Sequence, residues 1–132
     1  MKKLYVDTNV FLRFLLQDNI KQAKVAEKNF ILAKDEKVKI VIVSEVIPEL
    51  VYVLSGVYKL SRVNIAKYIE NIVKTIYLNV EQRDVWIKVM SIYPQVNFDV
   101  VDIFLAVKAK EENGEVLSFD KDFEKLEKHL SI

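Results

Sequence analysis

The chain has 132 residues, 52% of them hydrophobic, which fits a single domain spanning residues 1–132 with a substantial core. Its 20 basic and 19 acidic side chains leave a net charge of +1, so it is neither a polybasic coat for nucleic acid nor a membrane-surface protein, although a local site could still hold an anionic substrate through metal ions. No cysteine is present, which excludes disulfides, thiolate catalysis and Cys-based zinc sites and suits a reducing, cytoplasmic setting.

Leu4-Tyr5-Val6 reads as a short strand that ends in Asp7. Thr8 and Asn9 follow as good helix N-caps, and a helix runs over Val10 to Leu16. Met1-Lys2-Lys3 carries the charge of a signal peptide, but Asp7, Asn9 and Arg13 interrupt the apolar run and no small-residue cleavage site follows. Nothing approaches the roughly 20 apolar residues of a membrane span. Asp18 or Asn19 caps a second helix with Ile20, Ala23, Ala26, Phe30 and Ala33 inward. Val38 to Val43 is β-branched and forms a strand.

Ser44 ends that strand and caps a helix from Val46 to Tyr58. This helix is apolar on nearly every face, so it is expected to be buried on more than one side, against the sheet and against a second subunit. Pro48 falls early in it, where proline does least damage. Ser61 caps a helix carrying Val63, Ile65, Ala66, Ile69, Ile72 and Val73, and Ile76-Tyr77-Leu78 is a short strand. Glu81 to Tyr93 is helical, with Val85, Trp86, Val89 and Met90 inward, and Pro94 stops it. Asp99 to Glu111 is a helix that Asn113-Gly114 closes with a left-handed cap. Glu115 to Phe119 is a strand ending at Asp120; Phe123 and Leu126 give a last helical turn, and Leu130 to Ile132 an edge strand. Strands separated by helices predict right-handed βαβ units and a mostly parallel sheet covered on both faces.

Absences narrow the chemistry. The only histidine is His129, near the C-terminus, which suits a Ser-His-Asp triad poorly, and no glycine-rich loop is present to cradle a nucleotide phosphate. Carboxylates remain. Asp102 lies in the run Val100 to Val107, apolar almost all round, where a charge costs several kcal/mol unless it is compensated. Asp99 sits on the same face one turn earlier and adds like charge, unless a cation lies between the two. The competing role is a cap for Asp99 and a core hydrogen bond for Asp102. Asp7 and Asp120 repeat one pattern, an acid ending an apolar strand ahead of a polar helix start, and parallel strands bind ligands at that edge. Asp122 is expected to be solvated. Glu45 is explained by the helix dipole; Glu49, one turn on, is the better candidate. Thr8, Asn9 and Ser118 could orient the acids or simply cap. Converging carboxylates without metal have raised pKa values; with Mg²⁺ or Mn²⁺ they form an oxygen site suited to phosphodiester hydrolysis.

Val6-Asp7-Thr8-Asn9, Pro48-Glu49-Leu50, Asp99-Val100-Val101-Asp102 leading into Leu105-Ala106, and Leu117-Ser118-Phe119-Asp120-Lys121-Asp122-Phe123 occur in series along the chain. Together they resemble the PIN domain, and more closely the VapC-type toxins of prokaryotic toxin–antitoxin pairs. The resemblance implies a three-layer α/β/α sandwich with a mostly parallel central sheet. It implies Asp7, Glu49, Asp102 and Asp120 as an acidic quartet for Mg²⁺ or Mn²⁺, supported by Asn9 and Ser118, with Asp99 at a less regular acidic position. It also implies endoribonuclease activity leaving 3′-hydroxyl and 5′-phosphate ends, a homodimer, and a VapB-like antitoxin inserted in the active-site groove. Two alternatives stand beside it. One is a non-catalytic PIN-like module that binds RNA or protein. The other is a phosphatase of the haloacid-dehalogenase type with Asp7 as nucleophile, for which Asn9 stands where a second Asp is expected.

Overall fold

A computed structural model describes residues 1–130. Strands β1 (Lys2–Tyr5), β2 (Val38–Ile42) and β3 (Leu78–Val80) form a parallel sheet in the order β1-β2-β3. Helices α1 (Thr8–Leu16) and α2 (Ile20–Lys34) connect β1 to β2, and α3 (Val46–Gly56) and α4 (Arg62–Val73) connect β2 to β3. After β3 come α5 (Arg83–Ile92), a 3₁₀ turn at Tyr93–Gln95, α6 (Val100–Glu111) and α7 (Asp122–Leu130). The expected α/β class, a parallel sheet flanked by helices, is what the chain adopts.

The register pairs Leu4 with Ile40 and Ile40 with Leu78, so these side chains share one face of the sheet. That face is the dry one: Ile40 and Ile42 are fully buried and Leu78 and Val80 nearly so. The other face is covered unequally, since Val41 is half-buried while Tyr5 and Asn79 remain exposed. A single apolar cluster joins the dry face to Ile47, Leu50 and Leu54 of α3, Ile65 and Ile69 of α4, Trp86 of α5 and Ile103 of α6. Helix α3 is thus buried along one side; on the other, Tyr52 stays about half exposed.

Several boundaries differ from expectation, each for a local reason. Asn19 and Ser61 cap α2 and α4 as expected, accepting from the backbone N–H of Gln22 and Asn64. Ser44 does not cap α3. Glu45 holds the cap position without a side-chain bond, and the Ser44 hydroxyl instead accepts from the Trp86 indole Nε1 at 2.9 Å. Trp86 also stacks on Phe104 at 4.6 Å, so a polar handle and a ring contact tie α5 to both the β2–α3 turn and α6. The strand expected at Ile76 begins two residues later, because Thr75 to Leu78 closes a turn (Leu78 N to Thr75 O, 3.2 Å) that leaves Ile76 at its exposed tip.

The strand expected at Glu115–Phe119 does not form. The segment is irregular and pairs with no strand among the described residues, and Leu117 and Phe119 are fully exposed. Asn113 does adopt the left-handed conformation (φ 57°), and the Gly114 N–H returns to Ala109 O at 2.7 Å, so α6 ends as expected. α7 extends well beyond a single turn, and Leu130 belongs to it rather than to an edge strand; Ser131 and Ile132 lie outside the described residues.

Two half-buried arginines hold connections that no periodicity announces. Arg83 donates to the carbonyls of Val73 (2.6 Å), Thr75 (2.9 Å) and Leu78, closing the end of α4 onto the start of β3. Arg62 donates Nε to Tyr93 O (2.8 Å) and Nη2 to Phe98 O (2.6 Å), while its guanidinium lies 3.7 Å from the centre of the Tyr93 ring. It thereby fixes the segment that delivers Asp99 and Asp102.

Each carbonyl left without a donor in a partly dry setting costs on the order of 1 kcal/mol or more. Arg83→Ala should therefore lose about 3 kcal/mol in urea-unfolding experiments, with Arg83→Lys recovering less than half, because one ammonium cannot span three acceptors placed for a planar fork. Arg62→Lys should lose about 2 kcal/mol by the same measurement, through the ring contact and one of the two carbonyls. Wild-type midpoints in either lysine variant would show that the fork geometry is dispensable.

Candidate active site

Parallel pairing aligns the carboxyl ends of the strands, and polar residues follow each one. The Val6 N–H still pairs with Val41 O (3.2 Å), so Asp7 leaves directly from the sheet. Its backbone is extended (φ −76°, ψ 151°) at the N-cap position of α1, yet its side chain makes no capping bond, and the carboxylate is exposed. Thr8, the first residue of α1, is buried; Asn9 is exposed. After β2 come Ser44 and Glu45, and Glu49 lies exposed in the first turn of α3. After β3 comes Glu81, whose carboxylate accepts from the Ser44 N–H at 3.0 Å. Glu81 braces the β2–α3 turn, a structural use of an acid at the same sheet edge.

Helix α6 brings the second group of acids. Asp99 is its N-cap and accepts weakly from the Val101 N–H at 3.4 Å. Asp102, one turn on, is half-buried. Its pKa is raised above the ordinary carboxylate range, first by burial, then by the negative charges of Asp99 and Asp120. Asp120 itself is exposed; it accepts from the Asp122 N–H at 2.9 Å and so caps α7, while its own N–H donates to the Ser118 hydroxyl at 3.0 Å. Ser118 therefore shapes the turn that presents Asp120. The charges of Asp99 and Asp120 thus both act on Asp102, while Asp7 stands at the end of the first strand and Glu49 on α3. Among the described residues, no three Asp, Glu or His side chains already form a group able to hold a metal ion.

Tyr52 was not among the residues singled out from the sequence. Its hydroxyl reaches both carboxylate oxygens of Asp99, at 2.8 and 3.1 Å. Burial and the charges of Asp99 and Asp102 push its pKa up to about 12, so it remains a phenol, and a donor, at any physiological pH. A signal for it existed: Tyr52 lies one turn after Glu49, on the face of α3 that carries the candidate acid. Arg62 had no such signal, because its targets are backbone carbonyls distant in the chain. His129 lies elsewhere, lining a cleft with Lys88, Gln95 and Glu111.

Chemically, the donors at this edge are carboxylate, amide and hydroxyl oxygens. Such a set suits hard divalent cations and offers neither a thiolate nor an imidazole as nucleophile.

The chain matches the PIN domain profile over residues 4–129. It is also 33% identical over 122 residues to a VapC ribonuclease of Aquifex aeolicus (strain VF5), an alignment covering 92% of this chain and 90% of that protein. No solved structure matches it. With a parallel three-stranded sheet flanked by helices, and with a profile match over nearly its whole length, the chain belongs to the PIN-domain family.

Proposed function

We propose that this chain is a metal-dependent endoribonuclease, the toxin of a VapBC-like toxin–antitoxin pair, acting as a single domain. The observation that carries this is the similarity to a VapC ribonuclease over 92% of the chain, a span in which every candidate acid falls within the family match. The cation would be Mg²⁺ or Mn²⁺, with Asp7 and Asp102 as central ligands and Glu49 and Asp120 completing the site. The donors fit such an ion. All are oxygens, Asp7 is not engaged in capping, and Asp102 carries a charge that burial and two neighbouring carboxylates make unfavourable. When bound, the ion would lower the pKa of water and offset charge developing on the phosphate.

The chain's own residues supply placement. Thr8 is buried at the start of α1, next to Asp7 in the chain; the Ser118 hydroxyl accepts from the Asp120 N–H and shapes the turn that carries Asp120. Asn9, exposed beside Asp7, is a donor for a phosphate or ribose oxygen. Water adds to phosphorus, the bond to the 3′ oxygen breaks, and that oxygen takes up a proton. The products are a 3′-hydroxyl and a 5′-phosphate. No side chain forms a covalent intermediate.

The partners that follow are RNA as substrate, a second copy of the chain, and a VapB-like antitoxin, in the cytoplasm. Among the described residues no helix is long and apolar enough to cross a membrane.

A second reading, a PIN-like module that binds RNA or protein without cutting, is favoured by the absence of a ready-made metal-holding group among the described residues. Calorimetry separates the two. The nuclease binds Mn²⁺ at micromolar to millimolar concentration, and the module does not.

With Mn²⁺ or Mg²⁺ the purified protein should cleave single-stranded RNA, EDTA should abolish cleavage, and Asp7→Asn should reduce it by on the order of 10²-fold or more. Cleavage that survives EDTA, or an Asp7→Asn variant as active as wild type, would defeat the mechanism.

A stability prediction follows from Asp102. A carboxylate whose folded pKa lies above its unfolded value destabilises the fold once it ionises; stability falls as pH rises from the unfolded toward the folded pKa, and the penalty is complete above both. Asp102→Asn should therefore melt no lower than wild type in EDTA near neutral pH. Any advantage should shrink as the pH is lowered through the raised folded pKa and vanish below the ordinary carboxylate range, where folded and unfolded wild type are both protonated. The variant should also gain less from added Mn²⁺ than wild type does. A large loss of apo stability in Asp102→Asn would instead assign the residue a structural hydrogen-bonding role.

A further inference from the structure

We propose that Tyr52 is a positioning residue for the acidic site: by fastening Asp99, its hydroxyl sets α6 against α3 and reserves Asp102, rather than Asp99, for the cation. This rests on the metal-dependent nuclease reading above.

Three observations carry it. First, the contact is specific. One phenol hydrogen is shared between the two oxygens of Asp99 at 2.8 and 3.1 Å, which requires the hydroxyl to lie near the bisector of the carboxylate. Among the described residues it is the side-chain hydrogen bond that joins α3 to the cap of α6. Second, both partners stand one turn from a candidate ligand. Tyr52 follows Glu49 on α3, and Asp99 precedes Asp102 on α6. Fixing Tyr52 to Asp99 therefore constrains how Glu49 and Asp102 approach a common ion. Third, Tyr52 is 48% exposed and its partner Asp99 is exposed as well, so losing the bond leaves both carboxylate oxygens open to water. A bond with so small a claim on core stability is poorly explained as a fold-stabilising contact alone.

The competition it settles is chemical. Asp99 and Asp102 are like carboxylates on one helix face, and a divalent cation arriving there could take either. The phenol engages both oxygens of Asp99, and the Val101 N–H adds a weak bond to one of them, so Asp99 enters the metal's surroundings as an oriented charge. Asp102 has no such hydrogen bond among the described residues and is free to coordinate. Partners that orient ligands in this way typically change metal affinity by about 10- to 100-fold when removed.

The test is Mn²⁺ titration calorimetry on wild type, Tyr52→Phe, Asp99→Ala and the double variant, with thermal melting in EDTA and steady-state RNA cleavage alongside. Tyr52→Phe keeps the ring and deletes only the donor. It should weaken Mn²⁺ binding about tenfold and raise the Mn²⁺ concentration needed for half-maximal cleavage equally. It should leave the KM for RNA at saturating Mn²⁺ and the melting temperature in EDTA near wild type. In the Asp99→Ala background the same substitution should have no further effect, because the partner is gone. Asp99→Asn retains an acceptor oxygen for the phenol, so the Tyr52→Phe effect should persist, reduced, in that background. Wild-type Mn²⁺ affinity in Tyr52→Phe overturns the proposal, as does a tenfold loss that persists undiminished in Asp99→Ala. If Tyr52→Phe does not fold, the third observation is wrong and the proposal falls with it. Failure of the wild type itself to bind Mn²⁺ is the distinct result that removes the nuclease reading as well.

Discussion

Asp102 places a carboxylate on a half-buried face of α6, with the carboxylates of Asp99 and Asp120 acting on it and, among the described residues, no cation paired to it. Arrangements of this kind are unfavourable for a chain folding by itself. Relief comes from protonation or from a positive charge brought in from outside. In the proposed mechanism this repulsion is what a divalent ion would relieve, and hydrogen bonds in the surrounding structure hold its sources in place. Asp99 is tied down at the cap of α6 by Tyr52 and by its own helix. Asp120 is tied down at the start of α7 by the Asp122 N–H, and its backbone by Ser118. With its neighbours fixed, Asp102 cannot relax by having them swing away.

The sheet's contribution is alignment. In a parallel sheet every strand ends on the same edge, so acids far apart in sequence can be delivered to one rim without a long loop. Asp7 and Glu81 each follow a strand end, yet the two are used differently. Glu81 accepts from the Ser44 N–H and holds a turn, while the Asp7 carboxylate makes no cap bond although its residue stands at the cap position. The difference is one of available partners. The turn after β2 leaves an N–H facing Glu81, whereas α1 begins with Thr8 buried behind Asp7 and asks nothing of its carboxylate. Position at the edge therefore does not distinguish a candidate ligand from a brace. For these two acids the difference is that local hydrogen bonding has engaged the Glu81 carboxylate at a neighbouring turn and leaves that of Asp7 without a cap bond.

Much of this was legible in the sequence, and the boundary of legibility has a physical meaning. Patterns repeating over a turn or a strand were readable because burial enforces them: the inward set of α5, the caps at Asn19 and Ser61, and the left-handed stop at Asn113 all follow from near neighbours. Asp102 stood out for the same reason, as a charge in an apolar run. Contacts between distant segments were hidden. Ser44 has the chemistry of a cap, but the Trp86 indole, distant in sequence, takes its hydroxyl. Glu115 to Phe119 has the composition of a strand, yet a strand is made by its partner, and among the described residues no ladder forms with it. The roles of Arg62 and Arg83 are set by carbonyls, which carry no side-chain signature at all. Tyr52 lies between these extremes. Its place one turn beyond Glu49 was readable, but its partner was not.

A division of labour explains how the like charges around Asp102 are tolerated. Stability is vested away from it: in the dry face of the sheet against α3 and α4, in the Trp86 bridge between Ser44 and Phe104, and in arginines that close connections onto carbonyls. These contacts involve no acid at the candidate site, with one partial exception: Arg62, clamped on Tyr93 and Phe98, fixes the residue just ahead of Asp99. The scaffold and the site meet at that point. A rigid approach to the cap of α6 is what allows a single exposed hydroxyl from α3 to orient Asp99 at small energetic cost. Were the 93–98 connection loose, the Tyr52 bond would have to order the segment as well as hold it, and the entropy lost would exceed what one surface hydrogen bond returns. The acids are held in mutual repulsion because the segments that carry them were made rigid by contacts that have nothing to do with charge.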